Sequence, residues 1–572
     1  MEAKHILIIG GGVLGPKVAC RLKRLRPECN VTLVEQREDL ACSACGIPHY
    51  VAGDVAELQG LMTASFHMVR SPDFFEHAKD VRIKHHTRAL AIDRRARRVR
   101  VKHLGTGQEE DLPYDVLVLA TGRRPRSLAV PGAELPGVTS VSTLKEALAI
   151  KEAISHGQVG RAVIVGAGPQ GCELAAAVSD LWGVETTLLE PGPRVLPERL
   201  DSPLARMVHQ HLQGRKVQVV LGEMIQEIRP CKTDAALEVV TANCTLPADL
   251  VIVALGCEAN THLAAQAGLT LDPGGGILVN QRLQTSDPDI YAGGGCVSNL
   301  QVITGKSAFF PEPSLSHRQG RVIGTNIAGG FSAFPGIVGT FTFKVFDLAV
   351  AGAGLTLEAA LQEGFDAAAV LVVQQDHAHF YPVQELIYLN LVVDRKSRRL
   401  LGAQGICHNG DALAGRINSI AALLLHHGVI ADLSNLEMAY SPPFGTALDI
   451  VNTAANAAEN ILEGFNQSIS LDDFQRLFLD EKGKALVLDV RGPANAAPFV
   501  AHYGGRWLNI PQETLKGRFE AVPWDRQIIL VCNAGMRSYE ALRQLQSQGF
   551  TNAVGLQGGV AALKKAGMLP ID

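Results

Sequence analysis

The sequence predicts an α/β protein whose first half is built on two dinucleotide-binding βαβ units, with further α/β structure behind them. Three observations carry that expectation. A strand–GxGxxG–helix pattern runs over residues 6–35, the same pattern recurs over 162–190, and a strand–loop–helix at 528–539 has a loop reading Cys-x4-Arg. At 572 residues the chain is too long for one hydrophobic core, which implies roughly three or four domains. Its 57 glycines suit the many tight βα turns of such a fold.

In chain order, 6–9 is a short apolar strand and 10–15 the glycine loop, and an apolar-periodic helix is expected from Lys17. The second strand, 31–34, ends in Glu35. Gly10, Gly12 and Gly15 permit a tight turn and the close approach of a pyrophosphate to a helix N-terminus, while Glu35 can accept from a ribose hydroxyl. The second unit has its strand at 162–165, Gly166, Gly168 and Gly171 in its loop, a helix expected over 172–181 and a strand over 186–189 ending in Glu190. An acid there favours a free 2′-hydroxyl, hence NADH over NADPH, with Arg194 near enough to temper the preference. Two units imply two dinucleotides, a hydride donor beside a bound acceptor. Residues 114–122 and 248–256 share one shape, an acid, a buried strand and a small-residue turn (Thr121 and Gly122; Gly256), and each is expected to end a nucleotide-binding domain. A further strand meets a glycine turn at Gly293, Gly294 and Gly295.

A few residues after the first unit, 41–50 reads Ala-Cys-Ser-Ala-Cys-Gly-Ile-Pro-His-Tyr. A thiol there would lie close to whatever occupies the unit. The thiolate is the nucleophilic form of cysteine, and a helix N-terminus or a nearby base favours it. Cys45 is the candidate reactive sulfur; a pair of buried structural cysteines is the plain alternative. Cys42 and Cys45 form Cys-x-x-Cys, a spacing that permits a disulfide on a helix-like turn. No second Cys or His pair lies at ligand spacing, so no zinc site is expected.

The formal net charge is −4, which gives no reason to expect nucleic acid or an anionic membrane as partner. Eleven cysteines without a disulfide-framework spacing fit a reducing compartment. The first residues lack the layout of a cleavable signal, and the apolar run 419–426 is soon broken by His and Asp. A soluble cytoplasmic protein is expected.

On these motifs, the first 460 or so residues resemble the flavoprotein disulfide reductases with two dinucleotide sites, and the Cys-Gly-Ile-Pro-His-Tyr run resembles their single-cysteine branch: coenzyme A disulfide reductase, NADH oxidase and NADH peroxidase. The resemblance implies FAD on Gly10 to Glu35, NAD(P)H on Gly166 to Glu190, and electrons passing from nicotinamide to flavin to Cys45. It also implies a dimerisation domain from 335 to about 462, with Lys-Val-Phe-Asp at 344–347 as a recurrent segment, and hence a homodimer. Segments 379–382 and 439–444 resemble those whose tyrosines, here Tyr381 and Tyr440, reach the partner's thiol site; a phenol there can protonate a leaving thiolate. Taken alone they read as packing or interface aromatics.

Several positions depart from that pattern. Gly295 stands where an aspartate normally binds the FAD ribityl chain, leaving a backbone amide or a water to substitute. Ala41 and Ala44 replace the serine and asparagine that precede the reactive cysteine in coenzyme A disulfide reductases. His317 reads either as a base near the sulfur or as a packing residue. Lys17, Arg21 and Arg24 either meet coenzyme A phosphates or form a solvated basic face. Cys42 either resolves a mixed disulfide with Cys45 or replaces an apolar residue of the family.

Behind a polar linker at 464–468, a strand at 486–488 runs into Asp489 and Arg491, and a strand at 528–531 into the loop Cys532-Asn-Ala-Gly-Met-Arg537-Ser, with a helix expected from Tyr539. Loop N–H groups and a helix N-terminus form an anion nest for a thiolate or persulfide. This stretch, with 509–511 and 556–559, resembles rhodanese sulfurtransferases, with Leu563 in place of the family's usual tryptophan. Cys532 is then the sulfur carrier and Arg537 the loop's last member. The implied architecture is two Rossmann-like dinucleotide-binding domains (FAD over 1–149 and 248–334, NAD(P)H over 150–247), an α+β dimerisation domain over 335–463 and a rhodanese-like α/β domain over 468–572. The implied activity, that of coenzyme A disulfide reductase–rhodanese fusions, is NADH-dependent reduction of persulfides, polysulfides or coenzyme A disulfides through Cys45. Two other classes stay open: an oxidase or peroxidase cycling Cys45 through sulfenic acid, and a non-enzymatic redox or sulfur-carrier subunit.

Overall fold

The computed structural model describes residues 4–232, 235–480 and 484–571; the ends of the expected 1–149 and 468–572 segments, Met1 to Ala3 and Asp572, lie outside them. The chain forms two compact units, one of residues up to 189 with 224–337, the other of 190–223 with everything from 338.

The first unit starts with strand β1 (His5–Ile9), helix α1 (Leu14–Leu25) and strand β2 (Asn30–Val34). After the short helix α2 (Ile47–Ala52), strands β3 (Arg82–Lys84) and β4 (Val116–Leu119) join the same sheet. Strand β5 (Val138–Ser140) leads into the second unit of the repeat: β6 (Arg161–Val165), α3 (Pro169–Ser179) and β7 (Glu185–Glu190). Strands β8 (Leu250–Val253) and β9 (Ile290–Ala292) and helix α4 (Pro313–Ile327) follow. Two parallel sheets result, β9–β4–β1–β2–β3 and β7–β6–β8–β5. Such strands are buried on both faces, hence their continuous Ile, Leu and Val runs. Two strands correct the expected boundaries. Val138–Ser140 and Leu250–Val253 belong to the second sheet, not to the 1–149 and 248–334 body, because Ala162 to Val165 pairs in register with Leu250 to Val253, which pairs onward to β5.

The helices also begin earlier than expected, α1 at Leu14 and not Lys17, α3 at Pro169 and not Cys172. Each first turn absorbs the end of the glycine motif. Gly15 and Gly171 pass so close to the preceding turn that a Cβ would stand 2.0 Å from the Gly10 carbonyl oxygen and 1.8 Å from that of Gly166. Pro16 and Pro169 supply a φ already suited to a helix start.

The second unit contains an antiparallel sheet of β10 (Phe341–Val345), β11 (Leu348–Gly354), β12 (Ala367–Gln375), β13 (Leu386–Asp394) and β14 (Leu400–Cys407), ordered β10–β11–β14–β13–β12. Helices α5 (Gly410–Leu425) and α6 (Ile450–Leu462) accompany it. Beyond them β15 (Ser468–Ile469), β16 (Ala485–Asp489), β17 (Trp507–Asn509), β18 (Gln527–Val531), α7 (Met536–Ser547), β19 (Ala553–Leu556) and α8 (Gly559–Lys565) form a further sheet, parallel throughout, ordered β15–β19–β18–β16–β17. The expected linker 464–468 is shorter than its composition suggests. Gly464, at φ +77°, ends α6, and Ser468 already pairs with Gly555 as an edge strand.

Under this last sheet, Asp489 is fully buried and accepts from Arg491 Nε and Nη2 (2.9 and 2.7 Å) and from Trp507 Nε1 (3.1 Å). A buried carboxylate paired on all sides is costly to break, because removing one member strands the other charge. Asp489→Ala is therefore expected to destabilise the 485–565 region by about 3–5 kcal/mol, read as lost hydrogen-exchange protection of the β16 and β18 amides in the full-length protein.

Candidate active site

The first glycine loop is shaped by two close approaches and one open position. Gly10 sits at φ +115°, where a Cβ would stand 2.1 Å from the Ala120 carbonyl oxygen. Gly15 packs onto Gly10 as described. At Gly12 a Cβ would meet only Arg37 Nη2, at 3.8 Å. The loop thus leaves open backbone at the start of α1, a cradle that fits a pyrophosphate. Glu35, 6 % exposed, accepts from the Gly11 N–H (2.6 Å) and from the Arg37 N–H (3.0 Å) and Nε (3.2 Å), which fixes its carboxylate at the rim while lone pairs remain for a ribose hydroxyl. The Thr121 hydroxyl donates to the Asn260 carbonyl (2.7 Å), so its side chain holds the turn; Gly122, at φ +69°, has open space where a Cβ would be. Gly294, at φ +76°, donates its N–H to Gln319 Oε1 (2.7 Å).

Gly295 has an ordinary φ, and a Cβ there would lie 3.4 Å from Arg123 Cβ and N, ordinary contact. The backbone accepts a side chain at this turn, so what the residue lacks is only the carboxylate. Gly295→Asp is expected to raise the fraction of flavin retained through gel filtration, measured from visible absorbance; unchanged or lower retention would show that the turn holds its ligand by other means.

The second loop repeats the first. A Cβ on Gly166 (φ +102°) would lie 2.6 Å from the Ala254 carbonyl oxygen, while Gly168 and Gly256 (φ +79°) have nothing within 4 Å. Glu190 is 8 % exposed and accepts the Gly192 N–H at 2.9 Å. Arg194 is held by Glu358 (2.5 Å) and the Pro197 carbonyl (3.2 Å). Glu173 on α3 was not legible as special in the sequence. Burial, with Glu312 adding repulsion, pushes its carboxyl up to about 7, so it titrates near neutrality.

The Cys45 segment is tied directly to the first loop, since Ala41, a non-glycine residue at φ +51°, donates its N–H to the Gly11 carbonyl at 2.8 Å. Ser43 N–H donates to the Leu61 carbonyl (2.9 Å) and Arg70 Nη2 to Ser43 Oγ (3.3 Å). Cys45 lies exposed in the tight turn Ala44–Gly46 that enters α2, and a Cβ on Gly46 would strike Leu61 at 2.4 Å. Cys42 is buried, and burial pushes its thiol up to about 11 against the weaker pull of Arg37. The two sulfurs are thus unlike, one exposed, the other buried and protonated. This favours Cys42 as a replacement for an apolar residue. At pH 8 iodoacetamide is expected to alkylate Cys45 faster than Cys42 by about tenfold or more, with Cys42 gaining only as pH approaches its raised pKa; peptide mass spectrometry reads both sites.

His317 on α4 has its pKa lowered by partial burial and by the charges of Lys17 and Arg70, which keeps a neutral imidazole able to accept a proton. Helix α1 lies against α4 through Gly320 and Gly324, where a Cβ would come within 2.9 Å of Lys17 and 2.8 Å of Arg21. Arg21 donates Nε to Thr325 Oγ1 (3.2 Å), and its pKa is lowered by burial and by the charges of Arg321 and Arg24, the signature of crowded cations.

In the second unit, Tyr381 is half-buried and stacks on His377 (5.6 Å), and Tyr440 is 48 % exposed. Their loops are joined by Ala378 N–H to the Pro442 carbonyl (3.4 Å) and by buried Arg416, which pairs with Asp449 (2.8 Å) and donates to the Asp376 carbonyl (3.1 Å). Phe380, Val383, Phe444 and Leu448 stand exposed in the same two segments, an apolar surface of the kind that marks an interface.

Cys532 is 2 % exposed, and its sulfur accepts the Gly535 N–H (3.1 Å) beside the Ser538 hydroxyl (3.5 Å). Gly535, at φ +113°, turns the chain so that α7 begins at Met536, earlier than the expected Tyr539, and half-buried Arg537 falls in its first turn. Behind the loop, Val560 and Ala561 donate to the Cys532 and Asn533 carbonyls (both 2.9 Å), and a Cβ on Gly559 would stand 2.5 Å from the Cys532 oxygen. The sulfur thus rests in a braced loop at a helix start, met by one backbone N–H and one hydroxyl.

Comparison with known proteins agrees with this geometry. Residues 4–308 match the pyridine nucleotide-disulphide oxidoreductase family, 340–450 its dimerisation domain and 470–566 the rhodanese-like domain. An NAD(P)H coenzyme A polysulfide/persulfide reductase of Pyrococcus horikoshii is 33 % identical over 446 residues, 78 % of this chain and 96 % of that one. The structure of an NAD-dependent persulfide reductase from A. fulgidus superposes with a TM-score of 0.91 at 36 % identity, covering 98 % of this chain and 99 % of that one. Reduced Bacillus anthracis CoADR-RHD superposes at 0.89 with 29 % identity, covering 100 % and 99 %.

Proposed function

The chain belongs to the pyridine nucleotide-disulphide oxidoreductase family, and from that premise we propose that it is an FAD-dependent NADH oxidoreductase reducing the sulfur–sulfur bond of persulfides, polysulfides or coenzyme A disulfides at Cys45, with Cys532 carrying sulfane sulfur. The observation that carries this reading is the pair of unlike thiol sites, one exposed and hydrogen-bonded through Ala41 to the nucleotide loop, the other nested at a helix start.

Bound flavin supplies the electron pair that nicotinamide delivers. The chain's residues do the rest. Gly10, Gly12 and Gly15 admit the FAD pyrophosphate, and Glu35 holds its ribose; Gly166, Gly168, Gly171 and Glu190 do the same for the nicotinamide dinucleotide. Arg194 is held by Glu358, so Glu190 sets a preference for NADH over NADPH. Cys45, its proton taken by His317, attacks the sulfur–sulfur bond. One sulfur stays on Cys45 as a mixed disulfide or persulfide, and the other leaves as a thiolate or sulfide that takes up a proton. The electron pair supplied through bound flavin would free the held sulfur and return Cys45 to its thiolate. Lys17, Arg21 and Arg24 form a cationic face for the phosphates of coenzyme A. Cys532 takes a sulfur atom in its nest, with Arg537 beside it. The match over 340–450 to the family's dimerisation domain supports a homodimer as the working assembly, in which Tyr381 and Tyr440 would serve the partner's thiol site. Among the described residues no helix is long and apolar enough to cross a membrane. Eleven cysteines without a disulfide-framework spacing fit the cytoplasm.

The test is NADH consumption with persulfide, polysulfide, coenzyme A disulfide, peroxide and oxygen as rival acceptors. Sulfur acceptors should dominate. Cys45→Ser should lose turnover with all of them by about a thousandfold or more, while Cys532→Ser should stay within about twofold on small persulfides, since small molecules need no carrier. Turnover surviving the Cys45 change, or oxygen and peroxide outpacing the sulfur acceptors, would overturn the assignment.

A further inference from the structure

The strand that ends in Glu190 runs into a loop, 191–200, that carries two cations, Arg194 and Arg199. A cation there suits the extra phosphate that separates NADPH from NADH, because an arginine meets a 2′-phosphate where an acid meets a free 2′-hydroxyl. Both cations are already engaged. Arg199 lies over the Phe341 ring at 5.4 Å, and Arg194 donates Nη2 to Glu358 (2.5 Å) and to the Pro197 carbonyl (3.2 Å). We infer that Glu358, 164 residues further along the chain than Arg194, is a specificity-determining residue. It withholds Arg194 from a 2′-phosphate and sets a second negative charge at the loop that follows Glu190, so the site favours NADH. The inference rests on the reading of Glu190 as the acid for the adenosine ribose.

The ion pair joins two elements that are already fastened to each other. Val195, Leu196 and Leu200 are fully buried and anchor the loop, which turns back on itself where Arg199 and Leu200 donate to the Leu196 carbonyl (both 3.0 Å). Nearer Glu190, the Gly192 N–H donates to the Glu190 carboxylate (2.9 Å) and the Gly192 carbonyl accepts the Gly222 N–H (3.0 Å). At the far end Asp201, 6 % exposed, accepts the Leu357 N–H (2.9 Å) and Asn390 Nδ2 (2.8 Å). That bond fixes the start of the short helix Leu357–Gln362, which Thr356 also caps by accepting the Ala359 N–H (3.1 Å). Glu358, in the first turn of that helix, therefore meets Arg194 from a fixed backbone.

The size of the effect follows from exposure. Both Arg194 bonds use Nη2, while Nε is buried with no acceptor, so one nitrogen carries the whole contact. The Glu358 side chain is 56 % exposed and that of Arg194 24 %, so solvent screens their attraction. A phosphate dianion would compete for the same guanidinium, and would be repelled by the carboxylate that holds it. Discrimination of about fivefold is expected from this pair, added to what Glu190 itself contributes.

The test uses the full-length protein and two nucleotides that lack the nicotinamide, ADP-ribose and 2′-phospho-ADP-ribose. Calorimetry gives their dissociation constants, and kcat/KM is measured for NADH and NADPH beside them. Glu358→Gln should tighten 2′-phospho-ADP-ribose and raise kcat/KM for NADPH by about fivefold, with ADP-ribose and NADH within about twofold. Glu358→Asp, which keeps the charge, should gain less than about twofold in either readout. Arg194→Gln placed on Glu358→Gln should return 2′-phospho-ADP-ribose to its starting affinity, since the gain belongs to the freed guanidinium. A gain shared equally by both nucleotides, a gain that survives the loss of Arg194, or no gain at all overturns the role of Glu358. Glu190→Gln checks the reading beneath it and should weaken ADP-ribose about fivefold. ADP-ribose binding untouched by that change would place the ribose elsewhere and remove the premise.

Discussion

A backbone hydrogen bond, from the Ala41 N–H to the Gly11 carbonyl, joins the thiol segment to the nucleotide loop. Gly11 is itself held from the other side, because its N–H donates to Glu35. The glycine loop, the acid at its rim and the chain that presents Cys45 are therefore one hydrogen-bonded element. Ala41 accepts a left-handed backbone, at φ +51°, to complete it. Strain of that kind persists only where surrounding bonds over-determine the conformation, which is the situation here.

In the proposed reaction the two sulfurs face opposite demands. Access to a substrate and to an electron source suits Cys45, which lies exposed in a tight turn. Holding a reactive sulfur suits Cys532, which is buried and met by the Gly535 N–H. Cys42 differs from both. Its burial without a comparable nest keeps it protonated, which is what an apolar substitute requires.

The rhodanese-like module is joined to the sheet before it through Gln557, whose side-chain oxygen accepts the Leu371 N–H of β12. The glycines on either side of Cys532 serve the same end. Gly535 turns the loop, and Gly558 and Gly559 let β12 and the loop carbonyls approach closer than any side chain would allow.

Much of this was legible in the chain alone. The two glycine motifs with Glu35 and Glu190 announced the nucleotide loops, since a tight turn and a close backbone approach admit few residues other than glycine. Cys-Gly-Ile-Pro-His-Tyr and Cys-x4-Arg marked the two thiols, because local backbone geometry fixes both turns. Other features depend on residues far apart in sequence. The placement of Val138–Ser140 and Leu250–Val253 in the second sheet comes from strand pairing over a hundred residues. The raised pKa of Glu173 comes from burial beside Glu312, and the hold on Arg194 from Glu358, 164 residues on. Sequence determined which turns and sulfurs the chain would carry, because those are set within a few residues. Tertiary structure decided which sulfur is exposed and what surrounds each, because burial and charge are sums over neighbours that only folding brings together.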